Sequence, residues 1–161
     1  MSQDRVQATS LSWGVKQSFR NYVEATGGVT QASDGAARDA DGGFTFTALA
    51  GGDLRLGADG KLQGTGKFQG ELRFEAHGGM LSVCLVDPAV EVDADGAALT
   101  VADSPARTRR LEIARLDLSA MTPGEAGEMI IPTALSMDGV QLLGDHYPPR
   151  TPLDPVRLVL G

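Results

Sequence analysis

The chain has 161 residues, with 14 Lys and Arg against 21 Asp and Glu and a formal net charge of −7. That length suits one domain that buries roughly 70% of the surface its unfolded chain exposes, and the charge disfavours a phosphate backbone by repulsion, so nucleic acid is not an expected partner. A single cysteine, Cys84, excludes an internal disulfide and reads as a small buried strand residue.

The opening "MSQDRVQATSLSW" has no basic segment followed by an apolar run, so no secretory signal is read there. No apolar stretch approaches the ~20 residues that span a bilayer, so no membrane span is expected. If complete, the chain would be cytoplasmic; a domain cut from a longer exported protein is equally compatible with the sequence.

Next comes "SWGVKQSFRNYVEATGG", residues 12–28, which holds three of the eight aromatic residues. Leu11, Val15, Ser18, Phe19, Tyr22 and Val23 recur at spacings of three and four, which predicts one stripe of a helix ending near Gly27 and Gly28. Ser18 and Tyr22 stand one turn apart on it. From residue 44 onward, short runs alternate apolar and polar residues between glycines, the pattern of half-buried strands. The clearest are 44–50, 62–76, 80–93, 98–102, 109–119 and 156–160. A second short helix is expected only weakly, around "TPGEAGEM" or "PTALSMDG". The expected fold class is α+β: mainly antiparallel β, as a sheet or sandwich, with one main N-terminal helix packed on it. One domain is expected over 1–161, its core over 11–160.

The pieces "DADGG" at 39, "GADGK" at 57 and "DADGA" at 93 space their carboxylates like the start of an EF-hand loop. None continues to the bidentate glutamate at the twelfth position. Asp-Gly also favours tight turns, because both residues tolerate positive φ, and turns are the expected role. No nucleophile elbow, zinc-spaced Cys-His cluster or phosphate loop is present.

On spacing alone, Tyr22 reads as a boundary residue with a buried ring and a wet hydroxyl, and His77 in "RFEAHGGML" as a turn histidine. A functional reading needs both in one place. "LSWGVKQSFRNYV", "GKFQGELRFEAHGGMLSVCLVDPAVEV" and "TALSMDGVQLLGDHYPPRTPLDPVRLVL" together resemble the HtaA-type haem-binding domain of actinobacterial haem uptake, from Leu11 to Leu160. The resemblance implies that Tyr22 is the axial ligand of haem iron, that His77 hydrogen-bonds the ligating oxygen and that Ser18 binds a propionate. It also puts Phe19 and Trp13 in the pocket wall or the helix seat. The implied cofactor is ferric haem b, and the implied role is binding, storage or transfer without catalysis. A second haem-binding protein as donor or acceptor and a homodimer are left open. Ala76 stands where the family pattern has a glycine before the histidine, and the signal peptide expected of exported members is absent.

The chemistry suits those residue types. A phenol with a pKa near 10 is about one part in a thousand ionised at pH 7, so presenting it as phenolate costs roughly 4 kcal/mol without help. Ferric iron supplies that help, and a hard anionic oxygen prefers Fe(III) to Fe(II). His146 and Tyr147, adjacent in "GDHYPP", form a rival pair, but neighbours on a regular strand point to opposite faces. Two other classes stay open. One is a haem-dependent peroxidase or catalase-like enzyme, since tyrosine also ligates catalase haem; the other is a β-rich adhesion or interaction domain with calcium at its Asp-Gly turns.

Overall fold

Alternating burial along the strands organises this chain, and among the described residues helix is confined to two short α-helices and two single 3-10 turns. The computed structural model describes residues 6–102, 109–125, 127–145 and 147–160. The N-terminal part runs β1 (Val6–Trp13), α1 (Gln17–Ala25), β2 (Val29–Ser33), β3 (Ala36–Arg38), β4 (Phe44–Ala48), β5 (Arg55–Leu56) and β6 (Leu62–Gln63). Then follow β7 (Thr65–Gln69), β8 (Glu71–Ala76), β9 (Leu81–Asp93), β10 (Gly96–Ala102) and β11 (Arg110–Leu116). The chain closes with β12 (Thr122–Pro123), β13 (Glu128–Leu135), α2 (Met137–Leu142) and β14 (Pro152–Leu160).

Eight of these strands form a closed antiparallel ring. In order they are β4, β7, β9, β10, β11, β13, β14 and β1, and β1 completes the circle by pairing β14 on one edge and β4 on the other. The expected α+β sheet or sandwich with one main helix is therefore overturned: the fold is a closed β-barrel with further outer strands, and only 14% of it is helix. The physical reason lies in β1. The expected helical stripe began at Leu11, yet Leu11 and Trp13 are buried on one face of β1 and alternate with less buried Ser10 and Ser12. A strand there bridges β4 and β14, and closure removes both open edges of the sheet at once. The helix starts only at Gln17, after a break at Val15, whose φ is 65°.

The second departure from a plain barrel positions the site. Strands β7 and β8 run as one bent arm against the 13-residue β9. Thr65–Gln69 and the second half of β9, from Val86 on, belong to the ring, whereas β8 and Leu81–Leu85 project from it as a hairpin that β2 flanks. One face of this arm is apolar: Leu72, Phe74, Ala76, Leu81, Val83 and Leu85 are buried, and they alternate with Glu71, Arg73, Glu75 and Ser82. Helix α1 covers that face with Phe19 and Val23, and the helix, arm and barrel share one hydrophobic cluster. The edge-to-face rings Phe19–Phe74 at 5.1 Å and Phe44–Phe74 at 5.9 Å link the three.

The Asp-Gly pieces form turns, with Asp41, Asp59 and Asp93 carboxylates accepting backbone N–H bonds two residues on. Among the described residues no three His, Cys, Asp or Glu side chains are grouped to hold a metal ion. Cys84 is half-buried on β9, opposite Arg73. No helix among the described residues is long and apolar enough to cross a membrane.

Candidate functional site at the helix and the hairpin tip

Helix α1 is built to hold its outer face steady. Its sequence QSFRNYVEA has no Gly or Pro, and Phe19 and Val23, four apart, are both fully buried. Lys16 at the N-cap offers no side-chain cap, and β14 supplies one instead. Asp154 Oδ1 accepts the Gln17 N–H at 3.0 Å, while its Oδ2 pairs with Arg20 at 3.1 Å. Its backbone is used as well: the Asp154 carbonyl accepts the Trp13 indole N–H at 2.8 Å, and its N–H donates to Val15 O at 2.9 Å. One residue thus ties the helix start to two barrel strands. A carboxylate at a helix N-terminus also meets the positive end of the helix dipole.

At the other end, Thr26 hydrogen-bonds back to Tyr22 O, and the chain turns through Gly27 and Gly28 into β2. A side chain at Gly28 would collide with the Glu75 carbonyl of the arm and with Val23. This glycine lets helix and arm approach each other closely.

The arm ends in a one-turn 3-10 segment, His77–Gly79. His77, Gly78 and Gly79 all have positive φ, at 55°, 66° and 96°, so the strand reverses within three residues. That reversal aims the imidazole at the helix. Tyr22 Oη and His77 Nε2 lie 2.6 Å apart, a short hydrogen bond whose direction follows the imidazole tautomer. Tyr22 is 40% exposed, so a phenol oxygen already oriented by a neighbour faces solvent. Ser18, one turn earlier on α1, is exposed too.

Such a set offers an oxygen donor that ionises when a cation shares its charge, with a nitrogen base in contact to take or share the proton. The HtaA family model, described as Htaa, matches residues 8–159. The chain belongs to the HtaA family. No curated protein matches it. The crystal structure of the C-terminal domain of HtaA from Corynebacterium glutamicum is similar over 98% of this chain and 99% of that one, with a TM-score of 0.75 and 26% identity. The heme binding protein HtaB of the same organism shares the fold over 97% of this chain and 93% of that one, at a TM-score of 0.71 and 20% identity. A domain-swapped dimer of a variant of the C-terminal domain of HtaA aligns over 90% of each chain, at a TM-score of 0.63 and 25% identity.

In this HtaA-family domain the other residues singled out in the sequence fall into two groups. Phe19 and Trp13 are both buried, at 0% and 3% exposure: Phe19 points from α1 onto Phe74 of the arm, and Trp13 on β1 donates its indole N–H to the Asp154 carbonyl. Tyr147 is partly buried with its ring on Phe19, 6.4 Å between centroids, and Lys16 sits over that ring. His146 lies outside the described residues. Asp154 is not among the residues expected from the sequence. A lone Asp before Pro carries no periodic signal, and its role appears only when β14 lies beside the helix start.

Proposed function

We propose that this HtaA-family domain binds ferric haem b through the phenolate of Tyr22 and holds or passes it on without catalysing a reaction. Haem binding by HtaB supports the ligand class. The observation that carries the reading is the 2.6 Å contact between Tyr22 Oη and His77 Nε2 on an exposed face. The donor set fits the group: one phenol oxygen, open to solvent on one side and oriented from the other, with an apolar cluster beneath it.

In this reading bound ferric iron supplies the Lewis acidity that makes a phenolate accessible at neutral pH, and it favours that hard oxygen in its oxidised state. Tyr22 would give up its hydroxyl proton to His77 Nε2 or, where Nε2 already bears hydrogen, to solvent, and in either case the Nε2–H then donates a hydrogen bond to the phenolate oxygen. Such a bond from outside the coordination sphere fixes the direction of the ligand and lowers its basicity. Ser18 Oγ is assigned to a propionate. Phe19 and Trp13 act from the seat, keeping the Tyr22 turn of the helix at a fixed height over the arm. A second haem-binding protein, as donor or acceptor, is the proposed partner.

Titration with ferric haemin tests this. Saturation at one haem per chain with a high-spin ferric spectrum is expected, and peroxide turnover no faster than that of free haemin. Non-saturable binding, or saturation unaffected by loss of the Tyr22 hydroxyl, would overturn the reading.

A further inference from the structure

His77 stands at the tip of the arm, and the strand that leads from it back into the barrel breaks its register ten residues further on, at Asp87. At Asp87–Pro88 the register of β9 slips by one residue against both neighbours: between Lys67↔Ala89 and Glu71↔Val86 on one side, and between Thr100↔Ala89 and Ala102↔Val86 on the other. Asp87 has a φ of 47°. Gly70, across the slip with a φ of 153°, exchanges two bonds with it: Asp87 N–H donates to Gly70 O at 2.8 Å, and Gly70 N–H to Asp87 Oδ1 at 3.1 Å. Bulges of this kind bend a strand and increase its twist.

The bend has a brace. Arg110, at the start of β11, extends across β10 to β9. Its Nε donates to Thr100 Oγ1 at 2.9 Å, and its terminal nitrogen donates to Thr100 O at 3.0 Å and to the Asp87 carbonyl. One planar guanidinium thus fixes a barrel strand and the bulge in a single geometry, a task suited to its rigid fork of donors. Burial pushes the Arg110 pKa down while the Glu91 and Asp87 charges oppose that, the sign of a partly desolvated group held between strands.

We infer that Arg110 is a positioning residue: by clamping the Asp87 bulge it sets the angle of the arm and so keeps His77 on Tyr22. The haem part of its test rests on the function proposed above; the first part does not. In haem-free protein, the ring-nitrogen chemical shifts of His77 are measured by NMR in wild type, Arg110→Met and Tyr22→Phe. Arg110→Met is expected to move those shifts toward the Tyr22→Phe values, with the methyl signals of barrel residues Leu99 and Ile113 unchanged. Wild-type His77 shifts in Arg110→Met would overturn the assignment. The haemin off-rate then gives a double-mutant cycle. Arg110→Met should raise it about threefold or more in the wild-type background and leave it unchanged in a His77→Asn background. Equal increases in both backgrounds would also overturn the assignment. Arg110→Lys, which keeps the charge but loses the fork, serves if the methionine variant does not fold, and an intermediate shift of the His77 signals is expected from it. Absence of haem binding in wild type would overturn the proposed function while leaving the ring-nitrogen result to decide this one.

Discussion

Tyr22 Oη and His77 Nε2 meet at 2.6 Å although 55 positions separate them in the chain. Neither residue lies on the barrel: one stands on α1 and the other on the tip of the arm, and β2 ties the two together.

The Tyr22 hydroxyl is exposed and hydrogen-bonded to a surface residue, so its removal should hardly affect folding. Tyr22→Phe is expected to change stability by less than about 1 kcal/mol and to weaken ferric haemin binding by roughly a hundredfold or more, as a ligand loss should. Denaturant melts beside a spectroscopic titration read both quantities. A large loss of stability with unchanged affinity would make the residue structural.

At His77 the backbone matters as much as the ring. Its φ of 55° favours Asn among the replacements that lack an imidazole. His77→Asn should keep the turn, retain one-to-one haemin binding, raise the off-rate by about tenfold and shift the absorption bands. An identical spectrum and off-rate would confine His77 to the turn.

Asp154→Ala removes the helix cap and leaves Arg20, whose side chain is 11% exposed, without this carboxylate. A loss of about 2–3 kcal/mol follows from those two effects, which for a domain of this size lowers Tm by roughly 5–10 °C. Differential scanning calorimetry measures it. A fall of under about 2 °C would show that the buried Phe19 and Val23 hold the helix unaided.

The pH dependence at the far end of the barrel has a definite sign. Arg115 grips Asp93 with two bonds of 2.8 Å, and that hydrogen bonding holds the Asp93 carboxyl below its ordinary value. A depressed folded-state pKa gives stability that is present above the unfolded value and lost as pH falls through the folded one. Asp93 is 44% exposed, so solvent screening limits the contribution to about 0.5 kcal/mol. Asp93→Asn should therefore be slightly less stable than wild type at pH 7, with the gap closing as pH falls below the ordinary carboxylate range. A gap constant from pH 7 to pH 2 would exclude this pair as the source.

Spacing alone placed Ser18 and Tyr22 one turn apart and His77 in a turn after an alternating strand, but it took the family resemblance to join Tyr22 with His77, the pair that the structure brings into contact. The architecture was harder. Leu11 satisfies a helical period with Val15 and a strand period with Trp13 at the same time, and only the positive φ of Val15, invisible in a sequence, decides between them. Alternation identified strands 62–76 and 80–93 without revealing that Gly70 and Asp87 break them at one level. Nor could it show that β1 has partners on both edges. The strand β13 escaped notice because Pro132 interrupts its apolar run.

The ring of eight strands closes through β7 and the second half of β9, without β8 or residues 81–85. Lifting the arm therefore breaks no link in the cylinder, and local opening of this kind costs less than global unfolding. Amide hydrogens of residues 71–76 should exchange faster than those of 97–101, and the residence time of anything held at the hairpin tip is then a property of a small hinged lever. The durability of the protein as a whole resides elsewhere, in a cylinder that can stay shut while the lever swings.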